Sequence, residues 1–385
     1  MIGIRCDANS IIASGHMMRC LTIAKVLSRY GEYVTFFMAD QESFAFFKQF
    51  AGKDEKVDAI VMNTSWQNME AELPALVDEL QKRDVTVLLV DSYSVTREYF
   101  YRLKEICTVA YIDDLNADTY PVDMLINYSG YYETLGYEHD YKDIKGHDGI
   151  PTKLLLGLKY APLREQFYQS GTAAVSGETG RANILLTSGG ADTQRMLLTT
   201  LKKAFESGLV DSGSQNALVG EDKAPSDKSV MQENDEIEIT WQVVVGSLVK
   251  DYEVLEEFAK EHPTVKIHRS VSDMAGLMKN CNIAVCAAGT MLTECAAMGL
   301  PAIFYQVADN QKYNVKFWQS TGGMIFAGDV IVSAQMVTDR ICKELKALLS
   351  DEKRRSKMAQ VLRGYTDGKG AIRIADALLD YAKRH

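Results

Sequence analysis

The chain has 385 residues, 46% of them hydrophobic and 24% charged, with a formal net charge of -10 at pH 7. That length suits two domains at roughly 100–200 residues each, and the composition is that of a folded chain rather than a disordered one. A negative balance without a dense Lys/Arg stripe argues against a nucleic-acid partner, which needs a basic footprint, yet leaves room for a small anion in a locally positive site.

The longest apolar runs, such as 85–90 and 283–288, fall well short of the ~18 residues that cross a bilayer, so no membrane span is expected. The opening Met-Ile-Gly-Ile-Arg-Cys-Asp lacks a basic segment leading into a longer apolar one, and a cytoplasmic location is expected. Seven cysteines are scattered without a CxxC pair, and the six histidines show no zinc spacing. Buried, reduced thiols and no metal centre are the expectation.

In chain order, residues 1–6 read as a strand and 17–30 as a helix with Leu21, Ala24, Val26 and Leu27 among its apolar positions. Strands are expected at 33–38 and 57–62, then a helix at 69–82. Residues 86–90 are nearly all apolar, as in a parallel strand covered on both faces, and they run into Asp91. A helix at 96–106 and strands at 109–112 and 124–127 complete a βαβα rhythm. Residues 129–153 read as a loop.

The N-terminal Rossmann-like domain therefore spans 1–165, and 166–182 is a linker containing a small, polar stretch. The rhythm restarts with a strand at 183–187, a helix at 194–207, a strand at 241–245, a helix at 252–262, and strands at 265–268, 283–286 and 302–305. This second Rossmann-like domain is assigned 183–350, with residues 212–236 expected as a mobile polar insertion. The C-terminal helices, 351–385, are expected to pack back toward the first domain. The fold class is α/β, two doubly wound domains, with ligand between them at the carboxyl ends of both sheets. Function should sit in the strand-to-helix loops.

The loop from Arg5 to Leu21 ends its run of small residues at a helix start, where unpaired N–H groups favour an anion; ordinary capping is the alternative. His16 stands on the first helical turn, with Asp7 at the strand end and Arg19 one turn on. The helix macrodipole disfavours a charged imidazole there, which suits a general base. Asp7 is the candidate to hold its second ring nitrogen. In the second half a buried strand runs into Ala287-Ala288-Gly289-Thr290, whose small side chains let backbone amides approach a diphosphate. Glu294 follows one turn into the helix, where a carboxylate can accept both hydroxyls of a ribose. Asp113 and Asp114 at a strand end read as loop caps or as paired carboxylates.

The second-half pattern resembles the nucleotide-sugar half of GT-B proteins, the group that includes the undecaprenyl-muramoyl-peptide N-acetylglucosaminyl transferase. The whole chain more closely resembles the PseG-type UDP-sugar hydrolases of pseudaminic acid biosynthesis, which act on UDP-2,4-diacetamido-2,4,6-trideoxy-β-L-altropyranose. The likeness takes in Arg5, Asp7 and the Gly15-His16 to Arg19 loop, Val90-Asp91-Ser92-Tyr93, Ile112-Asp113-Asp114 and Asp123 to Asn127. It continues through Gly157, Tyr160-Ala161-Pro162-Leu163-Arg164 with Phe167, Ser188 to Asp192, Ala288 to Glu294, Asn310-Gln311 and Asp367 to Ala371.

The resemblance implies that His16 activates water for attack at the anomeric carbon. It implies sugar contacts from Gly15, Arg19, Tyr93, Asn310 and Gln311. Gly189, Gly190, Gly289 and Thr290 would lie by the diphosphate, Glu294 on the ribose and Val271 by the uracil. Ala13 and Ser14 depart from the family loop and bear on which sugar is taken. The expected activity is inverting hydrolysis of a UDP-linked 2,4-diacetamido-2,4,6-trideoxy hexose to UDP and free sugar, with no metal and no cofactor. The alternatives are a GT-B transferase and a nucleotide-sugar binding protein without turnover. UDP-sugar and UDP are the expected partners of a monomer.

Overall fold

A computed structural model describes residues 1–9, 11–12, 15–147, 149–173, 180–209, 237–246, 249–269 and 271–383. The expected insertion at 212–236 lies outside the described residues, as do Ala13, Ser14 and Ser270. The chain divides into two units, Met1–Glu165 with Thr366–His385, and Gln166–Tyr365.

The first unit runs β1 (Ile2–Cys6), α1 (Gly15–Arg29), β2 (Val34–Met38), α2 (Gln41–Ala51), β3 (Val57–Val61), α3 (Leu73–Lys82), β4 (Val87–Asp91), α4 (Arg97–Leu103), β5 (Thr108–Ile112), β6 (Met124–Asn127), α5 (Tyr137–Asp140) and β7 (Lys153–Leu156). Its seven strands form one parallel sheet in the order β3-β2-β1-β4-β5-β6-β7. β1, β2, β4 and β5 are buried at every position, which explains their nearly unbroken apolar sequences, because helices cover both faces of a parallel sheet. On one face Ile2, Ile4 and Leu89 pack with Met17, Leu21 and Ala24 of α1. On the other, Leu88 and Val90 pack with Leu76 and Leu80 of α3 and Tyr99 and Phe100 of α4.

The second unit runs α6 (Gln166–Gln169), β8 (Arg181–Thr187), α7 (Met196–Glu206), β9 (Glu238–Val245), α8 (Tyr252–Glu261), β10 (Val265–Arg269), α9 (Met274–Lys279), β11 (Ile283–Ala287), α10 (Met291–Met298), β12 (Ala302–Gln306), α11 (Lys312–Ser320), β13 (Met324–Asp329), α12 (Val330–Leu349) and α13 (Glu352–Arg363). Six parallel strands take the order β10-β9-β8-β11-β12-β13. Trp241, Val243, Ile184, Val285 and Ile303 line a core closed by Leu197 and Leu201 of α7 and Ile341 and Leu345 of α12.

The last helix, α14 (Gly370–Ala382), returns to the first unit. Ala371, Ile374, Ala375 and Leu378 enter the same cluster as α1, and Arg373 donates to the Lys159 carbonyl and pairs with Asp367 at 2.7 Å. The two C-terminal helices thus belong to different units, α13 to the second and α14 to the first. Residues 166–169, expected as linker, form α6 within the second unit. Gln166 there accepts from the Ala275 N–H at 2.8 Å and donates to the Ser272 carbonyl at 3.0 Å. β7 and β13 each add an edge strand that the sequence reading did not contain.

Candidate functional site

Strand order reverses between β1 and β4 in the first sheet and between β8 and β11 in the second. At such a switch point the outgoing loops part, leaving a crevice at the carboxyl ends of the strands. All four strand-to-helix connections at these two points carry sequence candidates: His16 after β1, Tyr93 after β4, Gly189 and Gly190 after β8, and Gly289 and Thr290 after β11. Asp91 is the last residue of β4.

His16 is the second residue of α1 and is buried, 7% exposed. Its Nδ1 lies 2.6 Å from Asp91 Oδ1. Beside a carboxylate at this distance Nδ1 carries the proton and donates, which in the neutral ring leaves the lone pair on Nε2; Arg19 Nη2 also stands 2.9 Å from Nδ1. Among the described residues Nε2 has no hydrogen-bond partner. Arg19, three residues on and on the same helix face, sends Nε to Asp91 Oδ2 and Nη2 to Asp91 Oδ1, both at 2.5 Å, and Nη1 to the Tyr128 hydroxyl at 2.6 Å. The Cys20 thiol adds a weak donor 3.5 Å from Asp91 Oδ2. Burial alone would raise the Asp91 carboxyl, but Arg19 and then His16 hold it well below the usual carboxylate range. Asp91 is therefore ionised at neutral pH and holds the imidazole by its Nδ1.

Asp7 does not do this. Arg5 in β1 and Asp7 just past its end stand two apart and share a face, and Arg5 Nη1 takes Asp7 Oδ2 at 2.5 Å while Asp7 Oδ1 accepts from the Ala39 N–H at 2.7 Å. Arg5, fully buried, also grips Glu72 at 2.6 and 2.8 Å. Asp7 thus ties the carboxyl ends of β1 and β2 together beneath the loop, and the role expected of it at His16 belongs to Asp91. Arg19, expected on the sugar, directs its guanidinium onto Asp91 and Tyr128. Tyr93, 52% exposed, presents its ring edge-on to His16 at 4.9 Å between centroids and donates to Asp114 Oδ2 at 2.9 Å. Gly15 is exposed at the head of α1. Asp113 is a loop cap, accepting from the Leu115 and Asn116 N–H groups.

In the second unit Gly189 and Gly190 are exposed just past β8, and Gly189 has φ 86, a left-handed conformation that favours glycine. Asp192 closes this turn by accepting from the Met196 and Leu197 N–H groups at 2.8 and 2.9 Å at the start of α7. A Cβ on Gly246, just past β9, would lie 2.2 Å from the Gly189 carbonyl oxygen. Gly246→Ala is therefore expected to displace that turn and cost roughly 1–3 kcal/mol of stability, as read by urea unfolding. The Ser188 hydroxyl is buried and has no hydrogen-bond partner among the described residues. Gly289 has open space where a Cβ would stand, and Thr290 precedes the first residue of α10. Glu294 is half-buried on the first turn of that helix. Asn310 and Gln311 sit in the turn after β12, where Asn310 is exposed and Gln311 Oε1 accepts from the Val307 N–H at 2.9 Å. Val271 is half-buried after β10. Among the described residues no group of three or more His, Cys, Asp or Glu side chains could hold a metal ion, and no helix is long and apolar enough to cross a membrane. All seven cysteines are free and buried.

The structure aligns with MurG from Acinetobacter baumannii at a TM-score of 0.66, covering 98% of this chain and 99% of that one at 12% identity. The fold is GT-B. Residues 209–370 match the glycosyltransferase family 28 C-terminal domain, so the second half is glycosyltransferase-like in sequence as well. Over 384 residues, 98% of both chains, the protein is 22% identical to the spore coat polysaccharide biosynthesis protein SpsG of Bacillus subtilis. It is 31% identical to the UDP-N-acetylglucosamine--N-acetylmuramyl-(pentapeptide) pyrophosphoryl-undecaprenol N-acetylglucosamine transferase of Alkalilimnicola ehrlichii over 124 residues, which span 31% of this chain and 34% of that transferase.

Proposed function

We propose that the protein hydrolyses a UDP-linked 2,4-diacetamido-2,4,6-trideoxy hexose to UDP and free sugar, with inversion at the anomeric carbon, as in pseudaminic-type nonulosonic acid synthesis. The observation that carries this reading is His16, whose Nδ1 lies 2.6 Å from an ionised Asp91 while Nε2 has no hydrogen-bond partner among the described residues, the arrangement in which a neutral ring keeps its lone pair on Nε2. Nε2 takes a proton from water, the water oxygen bonds to C1, and the bond from C1 to the diphosphate oxygen breaks with its electron pair leaving on UDP. Asp91 and Arg19 hold the imidazole through the transfer. General-base assistance of this kind contributes about 10²–10⁴-fold.

UDP is held in this reading by the second unit. At the Gly189-Gly190 and Gly289-Thr290 turns the Gly190 and Thr290 N–H groups, with the otherwise unpartnered Ser188 hydroxyl, stabilise the charge that develops on the diphosphate, while the Gly189 and Gly289 N–H groups donate to Thr187 Oγ1 and the Ala287 carbonyl. The uracil rests against backbone near Val271, and Glu294 accepts from the ribose hydroxyls. Glu294→Ala is expected to weaken UDP binding about tenfold or more, measured by calorimetry; equal affinity would remove Glu294 from the ribose.

The family 28 match over 209–370 favours a second reading, in which a sugar hydroxyl replaces water and the product is a glycoside. Incubation of the pure protein with the UDP-diacetamido sugar and no acceptor separates the two. The hydrolase reading expects UDP and free sugar in equal amounts; UDP release that waits for an added acceptor would replace it with the transferase.

A further inference from the structure

The network around His16 contains one carboxylate that the proposed chemistry leaves unused. Asp114 follows β5 and, unlike its neighbour Asp113, accepts from no backbone N–H among the described residues. Tyr93 spans from the His16 imidazole, edge-on at 4.9 Å, to Asp114 Oδ2 at 2.9 Å, and Arg19 Nη1 stands 3.8 Å from the same oxygen. Burial and then the adjacent Asp114 charge push the Tyr93 phenol above its usual range, so it stays protonated and donates. The other oxygen, Oδ1, is inaccessible to solvent and has no hydrogen-bond partner among the described residues.

An ionised carboxylate offers about four acceptor sites, and leaving a buried one without a donor is costly. The side chain as a whole is 27% exposed while Oδ1 is shut off from solvent, so its outward side is that of Oδ2, which has acceptor capacity beyond the bond from Tyr93. Such a group has no hydrogen to give, and it can recognise only a donor. A phosphate or a nucleobase carbonyl arriving there would be repelled; a ring hydroxyl or an amide N–H would be held by a charge-assisted bond. The candidate diphosphate and ribose groups all lie in the second unit, whereas Asp114 belongs to the His16 network of the first.

We propose that Asp114, oriented by Tyr93, selects the sugar by accepting a hydrogen bond from an acetamido N–H or a hydroxyl on its ring. This deepens the proposed function and rests on a UDP-sugar being the ligand, though not on its being hydrolysed. The binding energy then divides by residue: the second unit holds UDP, and Asp114 adds affinity only when a donor-bearing sugar is attached.

The test is calorimetric, with UDP and the UDP-diacetamido sugar as the two probes, in a His16→Ala background so that the sugar is not consumed. Adding Asp114→Ala is expected to weaken the UDP-sugar about tenfold or more while leaving UDP within about twofold, which also shows that the variant is folded. Tyr93→Phe, which frees Asp114 without removing it, should give a smaller loss in the same direction. An unchanged ratio of the two affinities, or an equal loss for both probes, overturns the assignment of Asp114. Turnover by the wild-type protein is a separate readout, so a failed hydrolase reading would appear there and not in this ratio.

Discussion

His16→Ala is expected to lower turnover of the UDP-sugar by at least about 10²-fold while leaving UDP affinity nearly unchanged. The first half follows from the open Nε2: with the imidazole gone, water must lose its proton unassisted as its oxygen approaches C1, and positioned general bases contribute roughly 10²–10⁴-fold. The second follows because the residues proposed for the diphosphate, ribose and uracil all belong to the second unit. The effect should fall on kcat and kcat/KM together, the signature of an interaction made in the transition state. His16→Asn keeps a polar group but no basic nitrogen and should behave alike. Wild-type turnover in either variant would take His16 out of the mechanism.

Asp91→Asn should cost both stability and rate. Asp91 is 1% exposed and accepts from His16 and twice from Arg19. Removing its charge leaves the Arg19 guanidinium, whose side chain is 12% exposed, without its main counterion. Breaking a buried pair from one side typically costs about 3–5 kcal/mol, read as a lower urea midpoint. The Asp91 carboxyl is held below its ordinary range in the folded state, so the stabilisation it brings is complete at neutral pH and is lost as pH falls below about 4 toward that lowered value. The variant should therefore be less stable than wild type at pH 7 and lose less on acidification. An asparagine can also present its N–H₂ to Nδ1 and place the imidazole proton on Nε2, the wrong tautomer for accepting one. A tautomer error of that kind costs up to about 10⁴-fold elsewhere, so turnover should fall by 10² or more in protein that still binds UDP. Near-normal turnover would mean that Asp91 only supports the fold.

The parts of this site that were legible in the sequence are those fixed by local pattern. His16 and Arg19 stand three apart at a helix start, so their common face follows from helix geometry. The Gly289-Thr290 turn lies between a buried strand and a helix, a placement that the run of small residues signals. Asp7 was misread because it is near His16 in the chain, although strand alternation already puts it on the same face as Arg5. Asp91 becomes the partner only once β4 lies beside β1, with Cys6 opposite Asp91 in the register; that pairing joins residues 85 apart and no local pattern encodes it.

The missed strands have equally physical causes. β7 reads Lys-Leu-Leu-Leu, residues that favour helix at least as much as strand. In β13 the apolar run is only Met324 to Ala327, because Gly328 and Asp329, the cap of α12, occupy its last two positions and read as a turn rather than as strand. The return of α14 to the first unit depends on its apolar face meeting α1, a contact between the two ends of the chain. Gln166, which fixes the loop before α9, and Tyr128, which supports Arg19, carry no sequence signal beyond their polarity.

The most direct test of the account is hydrolysis in H₂¹⁸O without acceptor, with both products followed by mass spectrometry and the first-formed anomer by NMR. Water attack at C1 predicts the label in the free sugar, unlabelled UDP, and an inverted anomer at early times. Label in UDP, or a first product with retained configuration, would contradict it.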